Sequence, residues 1–318
     1  MSIIERAALH LEALEGSKKR TSAESTDASS FPVTPEGSGH DSFESARSVF
    51  HQRAVDDQTV SSDRTKKTSR TVSIDLGRLD EMGLVSPLQP QSRVMEEFRV
   101  IKRPLLQNVR GSGVSHVKNA NLIMVTSALV GEGKTTSSVS LALSMAMELD
   151  RTVLLVDGDV ARPSVLRTLG VSSEAGLLDL LVDPSVQISD VLVRTNVEKL
   201  TLLPSGRFQP HATELLASEA MARLLAELAT RYSDRIIVFD SPPLLITNEA
   251  RVLAGHMGQI VVVVEAESTK QAAVREALAV IEHCPVKLLV LNKAKRASRP
   301  GNFSYYGYGS TAPYGYGT

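Results

Sequence analysis

The 318-residue chain has a single cysteine, Cys284. That excludes an internal disulfide and any all-cysteine metal or iron–sulfur site within one chain. Cys284 itself reads as a small core residue near a helix end. Net charge is nearly absent too: 35 Lys and Arg against 36 Asp and Glu leave −1. The chain as a whole therefore has no strong pull toward nucleic acid or a lipid surface, and no nucleic-acid partner is expected. No apolar run approaches the roughly 18–20 residues that span a bilayer. The opening Met1-Ser2-Ile3-Ile4-Glu5-Arg6 lacks the apolar stretch and small-residue cleavage site of a secretory signal. These absences predict a cytoplasmic protein.

What is present falls into four segments. In residues 1–16, Ile3, Ile4, Ala7, Ala8, Leu11 and Leu14 recur at spacings of three and four, which predicts an amphipathic helix over Ser2–Glu15, stopped by Gly16. Glu5, Glu12 and Glu15 outnumber Arg6 on its polar face, so a protein partner suits it better than lipid. Residues 17–70 are rich in Ser, Thr, Asp, Lys and Arg and poor in large apolar residues. Such a composition cannot offset chain entropy and predicts a disordered linker.

Residues 71–293 carry the folded pattern. Val72–Leu76 restores apolar residues before breaks at Gly83 and Pro87, and a helical stretch follows over Ser92–Asn108. Asn121–Ser127, Thr152–Asp157, Leu200–Leu203, Arg235–Asp240, Gln259–Val264 and Val286–Asn292 read as buried strands. Helical periodicity fills the gaps, from the first strand's loop through Leu149, over Ala212–Arg231 and over Thr269–His283. This alternation predicts an α/β fold, a mostly parallel sheet with helices on both faces. Residues 294–318 form a tail in which Tyr305, Tyr306, Tyr308, Tyr314 and Tyr316 supply five of the six tyrosines. Its interleaved glycines disfavour regular structure.

Three motifs carry chemistry. Ala128-Leu129-Val130-Gly131-Glu132-Gly133-Lys134-Thr135 has the Walker A spacing of a P-loop NTPase, with Ala at the first Gly position and Thr136 following. It sits between a predicted strand and a predicted helix, where backbone N–H groups and the helix N-terminus attract phosphate. Lys134 would neutralise the β- and γ-phosphates of ATP, and the Thr135 hydroxyl would coordinate Mg²⁺. Second, the strand Val153–Val156 ends in Asp157-Gly158-Asp159, which puts two carboxylates at the ligand-binding edge of the sheet. Third, Ile236–Phe239 ends in Asp240-Ser241-Pro242-Pro243, with Asp240 at the Walker B position for the metal. Asn292-Lys293, closing the last strand, is either a nucleobase contact or an ordinary strand end.

Taken together with the tyrosine cluster, these motifs resemble the bacterial tyrosine kinase (BY-kinase) family over about Ser92–Thr318. The N-terminal helix, Val72–Pro87 and Asp159-Val160-Ala161-Arg162-Pro163 look closest to the exosortase-associated tyrosine autokinases of exopolysaccharide clusters. The resemblance implies ATP- and Mg²⁺-dependent autophosphorylation of the tail tyrosines, largely between subunits of a ring. It gives Lys134, Asp157 and Asp159 catalytic roles, Asp157 toward the tyrosine hydroxyl. Thr135, Asp159 and Asp240 would hold the metal, and Gly131, Glu132, Gly133, Lys134, Thr135, Thr136, Asn292 and Lys293 the nucleotide. The family's Glu-x-x-Arg-x-x-Arg interface helix reads here Glu96, Arg99, Lys102, with Lys at the last position and Arg103 beside it. The family's Arg two residues after the second Asp is Ala161 here, followed by Arg162. Also implied are a membrane-embedded polysaccharide co-polymerase as activator, recruitment to the inner membrane by that partner, and a tyrosine phosphatase.

Two other classes share such motifs. Partition and division-site ATPase switches carry a second Lys five residues before the P-loop Lys; Leu129 stands there. A non-enzymatic ATP-binding regulator would not need the three aspartates.

Overall fold

The computed structural model describes residues 70–111, 117–231 and 234–295. The predicted N-terminal helix, nearly all of the linker and residues 296–318, with the five tail tyrosines, lie outside the described residues. Among the described residues eight strands form one sheet: β1 (Thr71–Val72), β2 (Leu122–Ser127), β3 (Thr152–Asp157), β4 (Val193–Thr195), β5 (Leu200–Leu203), β6 (Arg235–Asp240), β7 (Gln259–Glu265) and β8 (Val286–Asn292). Their order is β1-β4-β5-β3-β6-β2-β7-β8, and every neighbouring pair is parallel except β4–β5.

Alternation along each central strand sends neighbouring side chains to opposite faces. Ile123, Val125, Val153, Leu155, Ile236 and Val238 pack on one side with Leu105 of the helix Arg93–Val109 and Leu141 of the helix Lys134–Ala146. Leu122, Met124, Leu154, Val156, Ile237 and Phe239 pack on the other with Leu225 and Leu253, from the helices Glu219–Arg231 and Asn248–Ala254. Both faces are covered, which is why these strands are nearly continuous apolar runs.

Several features depart from the sequence reading. The predicted helix 212–231 is two helices, Ala212–Leu216 and Glu219–Arg231, with the Ser218 hydroxyl accepting from the Met221 N–H at 3.3 Å at the restart. The helix predicted through Leu149 ends at Ala146. β8 is an edge strand rather than a buried one, with Leu289 and Leu291 exposed. β4 was not anticipated: three residues are too few for a periodicity signal, and it pairs antiparallel with β5.

Candidate active site

All three motifs end at the carboxyl edge of adjacent strands. β6 lies between β2 and β3, and its register sets Asp240 directly opposite Asp157 on β3. β2 delivers the phosphate loop beside them. Gly131 and Gly133 take φ of 86° and 95°, left-handed values that a side chain would strain. Gly133 immediately precedes the helix that starts at Lys134.

The candidate side chains meet at this edge. Lys134 Nζ donates to Asp159 Oδ2 at 2.6 Å. Thr135 Oγ1 donates to Asp240 Oδ2 at 2.7 Å and lies 2.9 Å from Ser164 Oγ. Asp157 Oδ2 accepts the N–H groups of Ser164 and Val165, each at 3.0 Å. Asp159 Oδ1 accepts the Arg162 N–H at 3.1 Å. Ser164 therefore joins Thr135 to Asp157, a role no motif announced. Its position after Arg162-Pro163 carries no spacing signal, and only the folded loop brings it in.

Asp157 and Asp240 are 1% and 0% exposed, and the Oδ1 atom of each has no hydrogen-bond partner among the described residues. Burial pushes the Asp157 carboxyl up to about 7, and the charges of Asp240 and Asp159 push the same way. Burial also raises Asp240, to about 6, against the pull of the Lys134 ammonium and the Thr135 and Ser138 hydroxyls. Two buried acids of shifted affinity in register beside a phosphate loop mark a site built for proton and cation chemistry.

The other predicted nucleotide contacts are engaged with the loop itself. Glu132 is buried and its carboxylate accepts from Leu129 N–H. Asn292 and Lys293 donate to loop carbonyls. Thr136 is exposed, its hydroxyl on the Gly133 carbonyl at 2.8 Å. Of the predicted interface residues, Glu96 and Arg103 are exposed, and Arg99 is half-buried and pairs with Glu96. Lys102 differs: it is 6% exposed, with Nζ on the Ser144 carbonyl at 2.6 Å and on Glu148 at 2.8 Å. A cavity of about 640 Å³ elsewhere, lined by Leu180, Val186, Ile188 and Leu224, includes none of the candidate residues.

Comparison with known proteins gives the family. A family model described as an AAA domain matches residues 120–289, more than half of the chain. The tyrosine-protein kinase YwqD of Bacillus subtilis is 28% identical over 228 residues, covering 71% of this chain and 92% of that protein. The putative tyrosine-protein kinase CapB of Staphylococcus aureus is 29% identical over 229 residues, covering 70% and 96%. The crystal structure of the chimerical protein CapA2B2 matches with a TM-score of 0.57 at 30% identity, over 70% of this chain and 93% of that one. The chain belongs to the AAA-domain family and, within it, to the bacterial tyrosine kinases.

Proposed function

We propose that the protein transfers the γ-phosphate of ATP, with Mg²⁺, to tyrosines of its own C-terminal segment: Tyr305, Tyr306, Tyr308, Tyr314 and Tyr316. The observation that carries this reading is Asp157, a buried carboxylate with a free Oδ1 and a proton affinity near neutrality, in register with Asp240 beside Lys134. A general base works best when its pKa lies near the working pH. Asp157 takes the proton from the attacking tyrosine hydroxyl. The two N–H donors on its Oδ2 fix the carboxylate's orientation and leave Oδ1 for that proton.

Lys134 is held by Asp159, and a phosphate oxygen competing for the same ammonium frees an Asp159 oxygen. Thr135, Asp159 and Asp240 would hold Mg²⁺, and the unpartnered, buried Asp240 Oδ1 fits a cation. Among the described residues no preformed cluster of three His, Cys, Asp or Glu side chains is poised for a metal. Magnesium needs none, since one or two carboxylates plus substrate phosphates complete its shell. When bound, the ion supplies neutralisation of triphosphate charge.

The proposed setting is exopolysaccharide polymerisation and export. Its activator would be a separate membrane-embedded co-polymerase, a phosphatase would reset the tail, and a ring assembly would use the face bearing Glu96, Arg99 and Arg103. Among the described residues no helix is long and apolar enough to cross a membrane. The test is incubation of purified protein with ATP and Mg²⁺, followed by phosphotyrosine mapping by mass spectrometry, with Lys134→Ala as control. The expected result is phosphate on residues 305–316 that disappears in the control. An unmodified tail would end the kinase reading. ATP hydrolysis without tail phosphate would favour the ATPase switch instead.

A further inference from the structure

Glu132 sits inside the phosphate-binding loop, between Gly131 and Gly133, yet is only 2% exposed. An anionic side chain in a loop that receives phosphate opposes the ligand's charge, so its presence calls for another role. Both of its oxygens are used within the chain. Oε2 accepts the Leu129 N–H at 2.6 Å, and Oε1 accepts the Glu265 N–H at 3.3 Å and the Thr269 hydroxyl. Leu129 opens the loop, Glu265 ends β7, and Thr269 precedes the helix Gln271–Val280. One side chain thus fastens the loop to itself and to the exit of the neighbouring strand.

Two residues at the end of β8 grip the same loop by its carbonyls. Asn292 Nδ2 donates to the Glu132 carbonyl at 2.8 Å. Lys293 Nζ donates to the Gly131 carbonyl at 2.7 Å and pairs with Glu265 at 3.1 Å. A Cβ on Gly133 would overlap Asn292 Nδ2, so the glycine is what admits this grip. The direction of the grip matters. In a planar trans peptide the C=O and the following N–H point opposite ways. Holding the Gly131 and Glu132 carbonyls toward β8 therefore aims the N–H groups of Glu132 and Gly133 away from it, as donors for an anion.

We propose that Glu132, Asn292 and Lys293 form a clamp that positions the phosphate loop, presetting its N–H donors without contacting the nucleobase. The inference rests on the reading of this loop as a triphosphate site. It also joins that loop to the root of the tyrosine-bearing tail, because Lys293 immediately precedes the tail.

A clamp on the loop acts on phosphate and is blind to the base. The test measures binding of ATP, GTP and inorganic tripolyphosphate to the full chain by calorimetry with Mg²⁺, and thermal unfolding alongside. Asn292→Asp sets an acceptor against the Glu132 carbonyl, and Thr269→Val removes one donor to Glu132 from outside the loop while nearly keeping its shape. Asn292→Asp is expected to weaken all three ligands by the same factor, about tenfold. Thr269→Val is expected to do so by a smaller common factor, with little change in melting temperature. A loss confined to one nucleotide, with tripolyphosphate unaffected, would make Asn292 a base contact and overturn the clamp. Unchanged binding in both variants, where Lys134→Ala abolishes it, overturns the clamp alone. Unchanged binding in Lys134→Ala overturns the triphosphate site and the clamp with it.

Discussion

At the scale of single residues, the carboxylate of Asp157 sets activity against stability. Its folded-state proton affinity is raised to about 7 from an ordinary 3.8, with burial as the main cause. Between those values the folded chain holds a proton that the unfolded chain has released. Its contribution to stability is therefore complete below about 3.8 and is lost as pH rises through about 7. Asn in its place keeps an oxygen for the Ser164 and Val165 N–H groups and removes the buried charge. Asp157→Asn should raise the melting temperature of the nucleotide-free protein at pH 8, by a gain worth a few kcal/mol at most. The gain should shrink toward pH 5. The same variant should lose about 10²–10⁴-fold in tyrosine phosphorylation, the usual contribution of a general base. A melting-temperature gain that does not grow with pH would place the cost of Asp157 somewhere other than its charge. That Lys134, Thr135, Asp157, Asp159 and Asp240 would meet at one sheet edge was readable from the sequence, because the Walker spacing sets Lys134 and Thr135 at a helix start and the acidic motifs follow apolar strands. Ser164 and the inward turn of Glu132 were not, because each depends on a loop or strand exit brought close only by the fold.

At the scale of elements, the helix Arg93–Val109 and the phosphate-loop helix Lys134–Ala146 are tied together by Lys102. Its ammonium reaches the Ser144 carbonyl in the last turn and Glu148 just beyond. A cation at a helix C-terminus satisfies an orphan carbonyl and the negative end of the helix dipole. Lys102→Met keeps the apolar stem but leaves the Ser144 carbonyl without its donor. It should cost about 1–3 kcal/mol, read as a lower urea midpoint at unchanged slope. A variant as stable as the parent would show that solvent replaces the lysine without loss. The sequence pattern predicts this helix and offers Lys102 as an interface cation; in the fold its ammonium turns inward, and spacing alone does not say which of two adjacent basic residues does so. Arg103, the exposed neighbour, is left to face outward. The long apolar strands were legible for a similar reason in reverse: burial on both faces forces an unbroken apolar run. β1, with two residues, and β4, with three, leave no such trace.

At the scale of the whole molecule, the open question is whose tail each active site modifies. β2, β7 and β8 run parallel, so the chain leaves β8 on the edge that bears Lys134. The ~12 residues from Lys293 to Tyr305 span up to roughly 40 Å when extended. Reach therefore permits the chain's own site or a neighbour's, and the two differ in how rate depends on concentration. Transfer within a chain proceeds at a fixed effective concentration, whereas transfer between chains rises with protein concentration or assembly. We expect transfer between chains. A Lys134→Ala chain with its tyrosines intact, mixed with a Lys134-containing chain whose five tail tyrosines are Phe, should gain phosphotyrosine. The gain should fall on dilution. Arg103→Glu in both chains should reduce it without lowering the melting temperature, because that side chain is exposed rather than packed. Phosphate that appears only on chains carrying both Lys134 and tyrosine, at a rate indifferent to dilution, would assign the reaction to a single chain. Each phosphate adds about −1.5 to −2 charges. A tail carrying several of them on every subunit would repel its neighbours, so transfer between chains should end by loosening the assembly that allowed it.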